Sequence, residues 1–366
     1  MLLAPLLLAA AAQIPTPVPL PPPSALLPEE FSVIISVREL ADGRLLVADD
    51  RETRLVVADF RTGRVESLGR VGDGPGEYRR VAPLRPLGGD STLMISIYDR
   101  RWFVLDGERM ATILPPDHPM VVAGSAEPIM RTTAMMSLPP QTDSRGSMLA
   151  FTGPPMAMQT RTASPRDSLA VVLISRATGR VDTIAQVLQR PTGMTAIAGG
   201  MGARFYYPPW AVGEQTVLMV DGWVAVVRLD PYRIDWRAPD GRWTRGAALP
   251  VPAMPVTPRE REAWLAQLAA QEPKPADGEW PRTIPPIGHD NRFTAQGDLA
   301  GQVIVHRSTG VDDRLRRYDV IDRAGRIVRQ VTMPRDHRLV GFGRGTAYVV
   351  VTDDDGLQRI QRHPWS

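Results

Sequence analysis

The chain has 366 residues, of which 43% are hydrophobic, so it is long enough to bury a sizeable core. Its formal net charge is +3, and nearly all of its basic residues are arginines. These arginines are interspersed with Asp and Glu, whereas a nucleic-acid surface needs a continuous basic stripe, so we expect no nucleic-acid partner. The chain has no cysteine, which excludes disulfides, thiolate catalysis and cysteine-ligated zinc.

The first twelve residues are almost entirely apolar and end in a run of alanines. An apolar run with an Ala-x-Ala-like site is typical of a secretory signal peptide, although the usual basic residues are missing. A buried N-terminal strand or helix is the alternative. We expect residues 1–12 to be a signal peptide, cleaved after Ala12, and the protein to be periplasmic or secreted. No other run reaches the ~18 apolar residues that a membrane span requires.

Residues 13–28 are rich in proline and are interpreted as a linker or as a strand that closes the domain. From Phe31 onward, short β-type runs alternate with turn residues. Four such runs, at 32–37, 44–48, 54–58 and 65–68, form a first unit of about forty residues. The same order recurs at 81–114, about 118–190, 200–250, 284–333 and from 337 onward.

A glycine turn followed by arginine marks the last hairpin of several units. It occurs at Gly63-Arg64, Gly179-Arg180, Gly241-Arg242 and Gly325-Arg326. Glycine accepts the positive φ that a tight hairpin needs, so the repetition predicts repeated antiparallel hairpins. We predict an all-β fold, a six-bladed β-propeller of four-stranded antiparallel blades that occupies residues 29–366 as one domain. The last unit is one strand short, and we nominate residues 14–20 as the strand that completes it.

One short helix is predicted near 257–272, in an insertion near 255–285 between the fourth and fifth units. Thr257 is placed as its N-cap, Pro258 at its first position and Glu260 at the capping-box position. A second insertion near 135–165 is rich in Met, Pro and Thr. Its methionines are interpreted as adaptable packing or a binding surface.

The segment between the first two units resembles a motif of bacterial six-bladed β-propeller proteins with NHL-like architecture. The residues that carry it are Gly72, Gly74, Pro75, Gly76, Glu77 and Tyr78. The resemblance covers about residues 40–106, and it implies a propeller fold and export but no catalytic residue. The run lacks the Gly-Lys-Ser/Thr of a P-loop, so we interpret it as a structural link between blades.

The densest polar cluster lies at the entrance to the fifth unit, and we predict ligand binding by His289, Asp290, Asn291 and Arg292. Inner strands of a propeller line its central channel, so this cluster is placed to face a ligand, and a hydrogen-bonded loop is the alternative. Aspartates cluster at Asp49-Asp50, Asp312-Asp313 and Asp353-Asp354-Asp355. We interpret these clusters as turns, with calcium binding as the alternative. No other metal or cofactor is predicted, because the five histidines lack zinc-site spacing.

The chain contains no Gly-x-Ser-x-Gly elbow and no other complete catalytic motif. We therefore predict an exported, monomeric binding or scaffold protein, whose partner is a protein or a small molecule. The alternative is a propeller hydrolase or lyase, metal-assisted in one version, with its site at the channel mouth. Only the versatility of the fold supports that alternative, since propellers host many chemistries.

Overall fold

We describe a computed structural model of the protein. The residues that it describes are 14–96, 101–107, 109–113, 120–122, 128–129, 141–152, 168–175, 178, 180–191, 193–196, 203–267, 280–288 and 293–366. The predicted signal peptide and most of the insertion near 135–165 lie outside these ranges.

Strands are numbered in chain order, and two short ones precede the first blade: β1 (Val18–Pro19) and β2 (Ala25–Leu26). Blade 1 contains β3 (Ile34–Glu39), β4 (Leu45–Asp49), β5 (Arg54–Asp59) and β6 (Arg64–Ser67). The link to blade 2 contains β7 (Arg70–Val71) and β8 (Glu77–Tyr78). Blade 2 contains β9 (Leu84–Pro86), β10 (Thr92–Ser96), β11 (Arg101–Asp106) and β12 (Arg109–Ile113). Blade 3 contains β15 (Gln141–Thr142), β16 (Ser147–Thr152), β17 (Ser168–Ser175) and β18 (Arg180–Leu188), and β13 (Met120–Val122) and β14 (Pro128–Ile129) extend its sheet beyond β18.

The second half of the chain repeats this plan. A hairpin of β19 (Gly193–Ala196) and β20 (Ala203–Tyr206) precedes blade 4, which contains β21 (Gln215–Leu218), β22 (Val224–Leu229), β23 (Tyr232–Arg237) and β24 (Trp243–Thr244). The connection to blade 5 contains β25 (Met254–Pro255), the helix α1 (Pro258–Gln267) and β26 (Thr283–Ile284). Blade 5 contains β27 (Ala295–Gly297), β28 (Val303–Arg307), β29 (Leu315–Ile321) and β30 (Ile327–Pro334), and blade 6 contains β31 (His337–Gly343), β32 (Thr346–Thr352) and β33 (Gln358–Pro364).

These strands form a six-bladed β-propeller, which confirms the predicted fold class. Six hydrophobic clusters of buried residues lie one at each boundary between neighbouring blades. The second strands are buried on both faces, because a blade packs against a neighbour on each side; every residue of Leu45–Asp49 is buried. The apolar core is therefore a ring around the channel.

The glycine turns of the sequence lie in the hairpins between the third and outer strands of the blades. Gly63, Gly241 and Gly325 adopt φ values of +71°, +92° and +74° at the turns into the outer strands. Such values are strained for residues with a side chain, so glycine marks the tight hairpin of these three blades. Gly179, the corresponding glycine predicted for blade 3, lies outside the described residues. The turns that leave the inner strands are also short, whereas the connections that enter them include the long one between blades 4 and 5 that contains α1.

Blade 6 takes its fourth strand from the beginning of the chain. β2 pairs antiparallel with β33, with Ala25 opposite Arg362 and Leu26 opposite Gln361. The nomination of residues 14–20 as this strand is wrong: β1, within that segment, runs parallel to β30 as a fifth strand of blade 5. Residues 14–20 contain three prolines, which lack the N–H that a ladder requires, whereas residues 24–27 contain none.

The helix begins at Pro258, as predicted, and the Thr257 hydroxyl accepts a hydrogen bond from the Glu260 N–H at 3.2 Å. The Glu260 carboxylate, however, accepts the Val311 N–H of blade 5 at 3.0 Å instead of completing a capping box. Glu260 thus attaches the helix to blade 5. Among the described helical residues, no stretch has the length and apolar character of a membrane span.

Shortening Leu27 should destabilise the closed ring. Leu27 is fully buried between blades 6 and 1, whereas Leu26, its neighbour in sequence, is 53% exposed. Leu27→Ala should lower the free energy of unfolding by about 2–5 kcal/mol, because it removes buried methyl groups and leaves a cavity. Leu26→Ala should change it by less than ~0.5 kcal/mol. Urea denaturation measures both, and equal losses would show that the closing segment does not pack as described.

Acidification should weaken the same closure through His363. Its Nδ1 hydrogen-bonds the Pro21 carbonyl at 2.7 Å. Burial lowers the pKa of His363 from its ordinary value of 6.5, the bond to Pro21 opposes this shift, and positive charge on His337 reinforces it. The unfolded chain therefore takes up the proton more readily than the folded one. Stability from this group is complete above about pH 6.5 and is lost as the pH falls toward the lower folded-state pKa.

The measurement is the free energy of unfolding between pH 7.5 and pH 5.5 for the wild type and His363→Asn. The asparagine amide nitrogen replaces the Nδ1 donor but does not titrate. We expect a smaller dependence on pH in the variant, and identical slopes would contradict the assignment.

Candidate functional site

A cavity of about 420 Å³ lies in the central channel. Residues of all six inner strands line it, together with the turns that follow them: the lining runs from Val217 to Val220 in blade 4 and from Val340 to Arg344 in blade 6. Val220 and Leu299 in these turns are 37% and 52% exposed. The cavity therefore opens at the mouth where the inner strands end, and its size falls within the roughly 300–1,000 Å³ of small-molecule sites.

The wall of this cavity is held together by side chains that bind the backbone of the next blade. An inner strand has no further strand on its channel side, so its backbone groups there need other partners. The Gln141 amide supplies two: Nε2 donates to the Thr216 carbonyl at 2.7 Å, and Oε1 accepts the Leu218 N–H at 2.8 Å. One side chain thus joins blades 3 and 4 as a short strand would.

Similar bridges join other blades. The Ser36 hydroxyl accepts the Leu84 N–H at 3.0 Å, between blades 1 and 2. The Gln296 amide donates to the Leu339 carbonyl at 3.1 Å, between blades 5 and 6. These contacts use polar groups of the wall that would otherwise face the channel.

Glu39 ends the inner strand of blade 1 and binds blade 6. Its carboxylate accepts hydrogen bonds from the Thr346 hydroxyl at 2.7 Å, the Tyr348 hydroxyl at 2.5 Å and the Arg344 N–H at 2.9 Å. Burial and the Glu39 carboxylate both raise the pKa of Tyr348, so Tyr348 remains a neutral donor. The carboxylate is thus engaged by the scaffold.

The arginines of the wall differ in their surroundings. Arg38 donates to the carbonyls of Asp90 at 2.8 Å and Gly89 at 3.1 Å, and burial lowers its pKa while the Asp90 charge opposes the shift. Arg85 lies on the inner strand of blade 2 and is half-buried. Arg344 is exposed at the mouth, and its guanidinium has no hydrogen-bond or ion-pair partner within the described ranges.

The predicted ligand-binding residues, His289, Asp290, Asn291 and Arg292, lie outside the described residues. The chain resumes at Phe293, which is buried and lines the cavity. The prediction for these four residues therefore stays a prediction.

The Gly72–Tyr78 motif forms a link between blades 1 and 2 and does not line the cavity. The Glu77 carboxylate accepts the Gly74 N–H at 2.7 Å and the Arg70 Nε–H at 2.6 Å, and these bonds lower the pKa of Glu77. A Cβ on Gly72 would overlap this carboxylate, so the close approach requires glycine. Tyr78 is buried, and its hydroxyl accepts the Leu55 N–H of blade 1 at 3.0 Å.

The aspartate clusters are engaged by their own surroundings. Asp49 is buried and accepts the N–H groups of Ser32 at 2.6 Å and Val33 at 3.0 Å. Asp353 accepts the Leu357 N–H at 2.9 Å within its turn, and Asp312 pairs with Arg259. In the part of the chain that the structure describes, no three His, Asp or Glu residues are grouped to hold a metal ion. Calcium binding stays a prediction, and the described residues provide no group of ligands for it.

Sequence reasoning missed the wall residues, yet a signal for two of them exists. Gln141 and Gln296 each begin a Gln-x-Asp-x-x-Gly run, at 141–146 and 296–301. In both runs the Asp accepts a backbone N–H of its own turn, which fixes the end of the inner strand. The repeat therefore identifies both the turn and the bridging amide.

No protein-family model matches the chain, and no curated protein matches it. Among solved structures it is similar to regucalcin, a calcium-binding protein from Agrobacterium tumefaciens str. C58, with 12% identity, 95% of this chain and 97% of that chain covered, and a TM-score of 0.42. A gluconolactonase from Xanthomonas campestris has 10% identity, 96% and 99% coverage and a TM-score of 0.44. Virginiamycin B lyase from Staphylococcus aureus has 8% identity, 93% and 86% coverage and a TM-score of 0.36. Similarities of this degree carry no argument about activity.

Removing the Gln141 bridge should loosen the channel wall. Gln141→Leu leaves the Leu218 N–H and the Thr216 carbonyl without their side-chain partner, which should cost about 1–3 kcal/mol of unfolding free energy. Gln215→Leu is the matched control, because that amide donates only to the nearby Gly213 carbonyl. Its cost should be below ~1 kcal/mol. Urea denaturation of both variants tests this, and a larger loss in the control would contradict the role of the bridge.

Proposed function

We propose that this protein is an exported propeller that binds a small-molecule ligand in the channel cavity. The observation that carries the proposal is the cavity of about 420 Å³, lined by all six blades and open at one mouth. Concave, largely preformed sites of this size are where proteins bind small molecules. Export rests on the apolar N-terminal segment and remains part of the proposal.

The chemistry of the wall favours binding over catalysis. Three carboxylates line the cavity, and each is held by the scaffold. Besides Glu39, Asp90 accepts the Ala41 N–H at 2.6 Å, and Asp298 accepts the Trp365 Nε1–H at 3.0 Å. No histidine is among the described residues that line the cavity. A general acid or base must reach the reacting group, and these carboxylates already bind other partners.

A propeller hydrolase or lyase is the second candidate, and one observation favours it. Phe293, a cavity residue, directly follows residues 289–292 in the chain. The four nominated polar residues are therefore at most four positions from a wall residue, close enough in sequence to serve the same site.

The test combines ligand screening with a variant that obstructs the mouth. The protein is purified from the periplasm, its N-terminus is read, and a library of small molecules is screened by thermal unfolding. Leu299→Trp places a larger side chain at the mouth, and Leu315→Trp is the matched control at a 42% exposed leucine away from the cavity. A ligand at about one hundred times its Kd should add about 2.7 kcal/mol to stability.

We expect an N-terminus near Gln13 and stabilising compounds whose effect is lost in Leu299→Trp but kept in Leu315→Trp. Turnover of such a compound, abolished by His289→Ala, would instead establish the second candidate. Stabilisation that is equal in both tryptophan variants would overturn the proposed cavity as the binding site.

A further inference from the structure

The cavity wall is mainly apolar where blades 4 to 6 line it and mixed where blades 1 to 3 line it. In blades 4 to 6, the lining includes Val217, Met219, Val220, Leu299, Val340 and Phe342. In blades 1 to 3, it includes Ser36, Arg38, Arg85, Gln141, Thr142 and Ser144. A ligand that fills this space meets two different surfaces, so it must itself be amphipathic to satisfy both.

Most polar side chains that blades 1 to 3 place on this wall already form hydrogen bonds within the scaffold. The glutamine and serine side chains bridge backbone groups of the next blade, as described for Gln141 and Ser36. Each cavity carboxylate also accepts at least one hydrogen bond from a backbone or side-chain donor of the scaffold. A ligand donor would have to compete with these internal contacts.

Arginine supplies the positive charge on this wall. Arg38 is fixed by the carbonyls of Gly89 and Asp90, so its charge is held beside the cavity. Arg85, on blade 2, has interactions of its own, whereas the guanidinium of the exposed Arg344, at the mouth on blade 6, has no partner among the described residues. A guanidinium presents several N–H donors in a plane, a geometry that suits the oxygens of carboxylate, phosphate or sulfonate groups.

We infer that the cavity selects an amphipathic organic anion, with its apolar part against the apolar side chains of blades 4 to 6 and its anionic group at Arg344, at the mouth. This inference rests on the proposed function, since it names the ligand class of the same cavity.

Two probes that share an aromatic framework separate the charge from the apolar part. One is 8-anilinonaphthalene-1-sulfonate, and the other is N-phenyl-1-naphthylamine, which lacks the sulfonate. Both become fluorescent in apolar surroundings, so the same titration measures each Kd on the folded full-length protein. We expect one-to-one binding of the sulfonate probe, roughly tenfold tighter than the neutral probe, as for a charge-assisted hydrogen bond.

Arg344→Gln tests the charged end, and it is expected to fold because Arg344 is exposed and binds no described side chain. Its matched control is Arg242→Gln, an arginine with an 84% exposed side chain on an outer turn of blade 4. Arg344→Gln should weaken the sulfonate probe roughly tenfold and leave the neutral probe unchanged. Arg242→Gln should change neither. Thermal unfolding checks that all proteins are folded, because the sulfonate probe also binds partly unfolded chains.

The outcomes distinguish this inference from the function on which it rests. Equal affinity for the two probes, with both lost in Leu299→Trp, would overturn selection of anions but support ligand binding in the cavity. Sulfonate binding that is unaffected by Arg344→Gln would overturn the assignment of Arg344. Binding of neither probe would overturn the anion inference, while the compound screen judges the proposed function independently.

Discussion

The backbone hydrogen bonds between β2 and β33 join parts of the chain that are far apart in sequence. Ser24 and Arg362, which bond beside this pair of strands, are 338 positions apart. Each blade buries both faces only when it has a neighbour on each side, and blades 6 and 1 become neighbours through this closing segment. Leu27 and Phe31 follow β2 directly into the cluster between them. The packing of every other blade, and the shape of the channel, depend on this closure.

The channel wall shows what closure makes possible. Six short inner strands surround the axis without forming a barrel, so side chains such as Gln141, Ser36 and Gln296 supply the bonds between them. Because of these bridges, many polar groups of the wall already form hydrogen bonds within the scaffold. The chemistry left for a ligand is then set by few residues, chiefly the apolar side chains of blades 4 to 6 and Arg344 at the mouth.

Much of the fold is predictable from the sequence because it rests on local chemistry. Glycine turns and alternating apolar runs are visible in any one unit, and so is the helix start at Thr257 and Pro258. The closing strand is less visible, because residues 14–20 and 24–27 both precede the first blade and only the lack of proline separates them. The wall residues are harder still. Gln141 lies in a strand of two residues and its partners are in another blade, so the Gln-x-Asp-x-x-Gly run indicates the residue and its turn but not the backbone groups that it bonds.

The connections between strands differ at the two ends of the propeller. At the cavity mouth, the turns that leave the inner strands are short and held by Asp side chains and positive-φ glycines, as at Asp143 and Gly146. At the opposite end, the connection between blades 4 and 5 includes a helix that contacts the loop at Val311 and adds no residue to the cavity lining. Sequence can therefore change within α1 without altering the cavity lining, whereas Phe293, at the end of the same connection, lines the cavity and must be kept. The propeller thus tolerates variation in the part of a connection that lies away from the cavity, and loses that tolerance where the connection enters the inner strand.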